Sequence, residues 1–158
     1  MKLKQIASIG KFYDIFERHS ENGKVKWIEL LREEKQLPTA FIDEYFNVLK
    51  NYRIESLMAL PEEIIELHAN GLNWYALLQH TKVSTEILEK NFTLIDKPNT
   101  WRVVLRFQKP TLQFLEDHSD KWCSLPNIGI CIRSNVSFTE EEKKQLLRFV
   151  VDREDSLN

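Results

Sequence analysis

The chain has 158 residues, 42% of them hydrophobic, which is enough apolar side chain for a real core and argues against disorder by composition. Four glycines and five prolines are too few for a turn-rich sandwich or barrel, whereas abundant Glu, Lys, Leu and Ile favour helix. With 22 basic and 24 acidic residues the formal net charge is −2, so no global attraction to nucleic acid or anionic lipid follows.

In chain order, Ile6, Ile9, Phe12, Ile15, Phe16 and His19 recur at helical spacing and predict a first amphipathic helix. Ser20-Glu21-Asn22-Gly23 ends it, with Asn and Gly supplying a turn, and a second helix is predicted from about Val25 to Glu34 with Trp27, Leu30 and Leu31 on one side. Residues 1–36 therefore read as an antiparallel helical hairpin.

From residue 37 two patterns alternate. One is a capped helix start followed by an apolar pair: Leu37-Pro38 with Phe41-Ile42, Leu60-Pro61 with Ile64-Ile65, Val83-Ser84 with Ile87-Leu88, and Pro110-Thr111 with Phe114-Leu115. Proline suits a first helical turn because its missing N–H is not needed there, and Ser84 and Thr111 can cap first-turn N–H groups. The other pattern is Trp, two residues, then Leu or Val, at Trp27–Leu30, Trp74–Leu77, Trp101–Val104 and Trp122–Leu125. The capped starts fall at 37, 60, 83 and 110, a spacing that fits two short helices plus turns. The first unit departs from the pattern, with Ile54 and Leu57 in the Trp/Leu slot, and Pro126-Asn127-Ile128-Gly129 breaks or restarts the helix after Trp122. Residues 136–152 form a last helix, started by a capping box of Ser137 with Glu140 or of Thr139 with Glu142, and residues 153–158 form a frayed tail. The expected fold is all-α: a short helical-repeat solenoid or irregular bundle of about ten short helices, in one domain over 1–152.

Short helices need anchors, and a buried Trp removes roughly 200 Å² from water. The tryptophans are accordingly expected in the core, except Trp101, which stands in a basic neighbourhood. From Lys97 to Lys109 there are four basic residues, Lys97, Arg102, Arg106 and Lys109, and no acidic one, and Arg102 and Arg106 share a helix face. Trp101, Arg102, Arg106 and Lys109 are therefore the candidate partner-binding residues.

Of the four histidines, His68 and His118 share a slot with Tyr45 and Asn91 near helix ends, where His or Asn caps carbonyls. No H-E-x-x-H, C-x-x-C or H-x-H spacing is present, nor a P-loop, nucleophile elbow or dinucleotide fingerprint, so no metal, cofactor or catalytic residue is expected. Cys123 and Cys131 read as reduced, half-buried thiols. No apolar run reaches membrane-spanning length and the first residues lead into no signal-peptide core, so the expectation is a cytoplasmic protein without membrane contact.

The rhythm of Leu60-Pro61…Ile64-Ile65 with Trp74…Leu77, and of Val83-Ser84…Ile87-Leu88 with Trp101…Val104, resembles short Trp/Leu helical-repeat proteins of phages and large DNA viruses. The likeness covers about residues 27–125. It implies a small protein-binding factor, of the kind a virus directs at a host protein, and no named activity. The functional expectation is a non-enzymatic protein–protein interaction module. The alternatives are a nucleic-acid-binding protein using the basic 97–109 segment, and an enzyme without a linear motif.

Overall fold

The computed structural model describes residue 10 and residues 12–151. The predicted stripe at Ile6 and Ile9 and the predicted tail at 153–158 lie outside the described residues. The fold is all-α, an irregular array of short helices, with one two-stranded ribbon. Twelve α-helices occur among the described residues, a little above the expected ten, because several predicted helices are split by one-turn segments. The chain divides into two compact units, Met1–Gly71 and Leu72–Asn158. The division falls between the capped helix after Pro61 and the Trp74 helix, two elements that the sequence spacing placed in one repeat.

The first unit opens with α1 (Tyr13–Arg18), followed by β1 (Ser20–Glu21) and β2 (Lys24–Val25), antiparallel with Ser20 opposite Val25. Asn22 and Gly23 both have positive φ, the combination that a tight two-residue hairpin turn requires. The turn predicted there is thus a β-hairpin turn, not a simple helix stop. Next come α2 (Trp27–Glu33), α3 (Thr39–Leu49) and α4 (Glu62–His68), the last two linked by 3₁₀ turns at Lys50–Tyr52 and Ile54–Ser56. Ile54 is buried and Leu57 exposed, so this slot is a 3₁₀ link and not a Trp-type helix. The core is aromatic: Phe12, Phe16, Trp27, Phe41 and Tyr45 meet with ring centroids 4.9–6.4 Å apart. Pro38 and Pro61 stand at the N-cap positions of α3 and α4, one residue earlier than the first-turn place predicted for them.

The second unit contains α5 (Trp74–His80), α6 (Thr85–Lys90), α7 (Phe92–Ile95), α8 (Pro98–Phe107), α9 (Leu112–Asp117), α10 (Ser119–Trp122), α11 (Ile128–Ser134) and α12 (Glu140–Leu147). The central helix is α8, packed between α5 and α11. Ser84 and Thr111 accept the N–H groups of Ile87 and Phe114, as their places in the pattern predict. Of the two possible boxes at the last helix, the chain uses Thr139 with Glu142. The backbone restarts as α11 after Pro126-Asn127, with Asn127 in the left-handed region.

A buried amide ladder ties these helices together. The amide nitrogen of Gln108, a residue 1% exposed, donates to the carbonyls of Leu78 (2.6 Å) and Thr81 (2.8 Å), and its oxygen accepts the Val83 N–H. Asn135 repeats this at its own helix end, donating to Leu105 and Gln108 at 2.8 Å each and accepting from Ser137 N–H. Thr81, Gln108 and Asn135 are each buried, and the bonds Gln108–Thr81 and Asn135–Gln108 both span 27 residues. Each amide meets carbonyls at a helix C-terminus that have no partner inside their own helix.

Candidate partner-binding face

The four residues singled out in the sequence separate in the structure. Trp101 is 1% exposed and its indole N–H donates to Asp96 Oδ1 at 3.0 Å. It packs against Phe92, Phe114 and His118, so it is a core residue and offers no surface to a partner. All four tryptophans are in fact buried, and the Trp122 N–H donates to the Leu115 carbonyl. The basic neighbourhood that set Trp101 apart is real, but it lies on the opposite side of α8: the side chains at 101, 104 and 105 face inward, whereas Arg102 and Arg106 face out.

Arg102 is half-buried, and its Nε and Nη1 donate to Pro126 O (3.0 Å) and Asn99 Oδ1 (2.7 Å). Both acceptors are neutral, so the guanidinium is held in place with its charge uncompensated by them. Arg106 is exposed and lies over the Phe107 ring at 5.2 Å from the centroid, within cation–π range. Lys109 departs from this group: its ammonium sits 3.4 Å from Glu142 on α12, which neutralises it. That pairing and the Thr139 backbone N–H, the larger influence, hold the Glu142 carboxyl below its ordinary value.

Arg102 and Arg106 line a hollow of about 250 Å³ with Tyr75, Gln79, Phe107 and Cys131. A second hollow of about 350 Å³ adjoins it and shares Tyr75 and Asn99, with Lys97 on its wall. Tyr75 stands 48% exposed as the ridge between them. The Cys131 thiol shows the reach of the cations. Burial pushes its pKa up, and Arg106 and Arg102 partly oppose that. The face thus combines an exposed phenol, a cation-covered ring and three basic groups, arranged along α5 and α8.

Sequence reasoning missed Tyr75 and Gln79. They stand one 27-residue offset before Arg102 and Arg106, the offset of the amide ladder, and Arg133 stands one offset after Arg106. The signal was present in the sequence, but the spacing of 23 between capped starts at 60 and 83 concealed it. Three of the four residues in the predicted slot sit at helix ends, whereas Tyr45 is buried within α3: Asn91 and His118 are C-cap residues with nearly the same φ and ψ, and Asn91 Nδ2 donates to the Ile87 carbonyl. His68 closes α4, stacks on Phe46 at 3.9 Å between centroids, and pairs with Asp43 at 2.7 Å.

No protein-family model matches the chain, and neither a curated protein nor a solved structure matches it. No helix of the described residues is long and apolar enough to cross a membrane.

Proposed function

We propose that the chain is a protein–protein interaction module that reads an acidic segment of a partner through the α5/α8 face. The observation that supports this most is the pair of guanidiniums beside Tyr75. Arg102 is fixed by neutral acceptors, so it can receive a carboxylate in bidentate geometry with little loss of side-chain freedom. Exposed Tyr and Arg side chains grouped around hollows are the composition of interface anchors. The recurrence at 27 residues supports a repeat-built face in which α5, α8 and α11 each present one row to the partner. This reading keeps the viral or phage binding factor as the corresponding biological role, with the cytoplasm as its place of action.

A nucleic-acid ligand is the second reading, favoured by Lys97, Arg102, Arg106 and Arg133 on neighbouring helix starts and faces. The net charge of −2 weighs against it, because non-specific phosphate binding depends on the summed positive charge.

The test is affinity capture from the native cell with the wild-type chain and with Arg102→Glu/Arg106→Glu, both verified as folded by circular dichroism. The wild type should return one stoichiometric protein that the variant loses. Identical profiles from the two chains would remove the proposed face. A gel shift titrated with salt should show no retention of duplex or single strand at physiological ionic strength. Salt-dependent retention lost in the double variant would move the assignment to nucleic acid.

A further inference from the structure

The first unit holds a second site, unrelated to the α5/α8 face. His19 is 2% exposed and its Nδ1 is buried without a hydrogen-bond partner. The other ring nitrogen, Nε2, lies 2.9 Å from Glu34 Oε1. The same Glu34 Oε1 accepts from the Arg18 guanidinium at 2.6 Å. A carboxylate only accepts, so Nε2 carries the proton and donates it. Nδ1, the other ring nitrogen, faces Glu33 Oε2 at 3.7 Å.

An unpartnered ring nitrogen and a carboxylate oxygen that face each other are two donor atoms of the kind that hold a divalent cation. The pair stands beyond hydrogen-bond distance, about 2.7–3.2 Å for N–H···O. The 3.7 Å separation is nearer to that of two ligands sharing a tetrahedral ion, roughly 3.3–3.5 Å for bonds of about 2.0–2.1 Å. A third donor completes the cluster. Glu29 lies one turn before Glu33 on α2, and ligand atoms of His19, Glu29 and Glu33 all fall within 4.8 Å of one another. Glu29 and Glu33 also line an open cleft of about 560 Å³, so water can reach a fourth position. The carboxylates are 44% and 64% exposed and so are free to rotate toward a common ion.

We propose that His19, Glu29 and Glu33 bind a first-row divalent cation, best matched by zinc. An imidazole ligand disfavours calcium and magnesium, and two carboxylates with one imidazole suit a four-coordinate ion that keeps one exchangeable position. Glu34 acts as the outer partner that fixes the histidine tautomer, the usual arrangement behind a metal-bound imidazole. Lys26, which lies 3.5 Å from Glu29 and 2.9 Å from Glu21, moves fully to Glu21 when the cation takes Glu29. The hairpin turn at Asn22-Gly23 brings His19 and α2 together, which explains how ligands so far apart in sequence form a site without a linear metal motif.

The test is titration of the purified full chain with Zn²⁺ alone by calorimetry, beside nitrogen-15 spectra of the histidine rings. The wild type should take up one Zn²⁺ per chain, and the His19 Nδ1 resonance should shift to a metal-bound position. Glu29→Gln and Glu33→Gln alter exposed side chains and leave the fold intact; each should weaken binding by at least about 10-fold. His80→Gln, a change at an exposed histidine elsewhere, should leave it unaltered. Absence of saturable uptake up to about 1 mM Zn²⁺ overturns the assignment. So does wild-type affinity in both glutamate variants, or a His19 ring protonated on both nitrogens and unmoved by Zn²⁺.

Discussion

Trp101 illustrates how a residue can be misread by its neighbours. Its indole fills the centre of the second unit and its N–H is satisfied by Asp96, while Arg102, the next residue, points the other way. Helical geometry turns successive side chains by about 100°, so a basic flank says nothing of where the tryptophan between its members faces. Trp101→Ala should lower stability by about 3–5 kcal/mol through the cavity left behind, measured by chemical denaturation. Trp101→Phe should recover part of this and still leave Asp96 without its indole donor. Glu34 belongs to the same scale. Its pKa is depressed in the folded chain, so it adds stability that is full above its ordinary value of 4.5 and is lost as pH falls through the lower folded value. The urea midpoint of the wild type should therefore drop as the pH falls below the ordinary carboxyl value of 4.5, and Glu34→Gln should show a shallower acid decline.

Among the elements, the helices of the second unit are too short to persist alone, and the amide ladder joins their ends. Gln108 makes three hydrogen bonds, two buried ones to the Leu78 and Thr81 carbonyls and a half-buried one from the Val83 N–H. Gln108→Ala removes all three and leaves backbone groups unpaired in the interior, so it should cost about 3 kcal/mol or more, measured by denaturant unfolding. Asn135→Ala should cost a comparable amount, since that amide serves Leu105, Gln108 and Ser137 in the same way. The caps that precede these helices were legible, because a Ser or Thr three residues before an apolar pair is a local signal. The ladder was not. A buried amide and a solvated one have the same local sequence, and only the 27-residue offset between Thr81, Gln108 and Asn135 distinguishes them.

The whole chain comprises two units, each with its own apolar interior. The second contains both rungs of the ladder and the face around Tyr75. A fragment of residues 72–151 should therefore stay helical and unfold cooperatively, as read by circular dichroism during heating. Non-cooperative melting of that fragment would show that the rest of the chain is needed for its order.

The amino-acid sequence by itself determined the all-α class, the capped helix starts and the apolar pairs that follow them into the core, since each depends on residue types at short range: apolar spacing, N-cap chemistry and few glycines. Tertiary structure alone decided which groups meet. The hairpin at Asn22-Gly23 set His19 beside Glu29 and Glu33, α12 brought Glu142 to Lys109, and the packing of α5 on α8 set Tyr75 beside Arg102 and Arg106. Such meetings join residues separated by whole helices or turns, and their geometry depends on how those elements pack, which no local pattern of residues encodes.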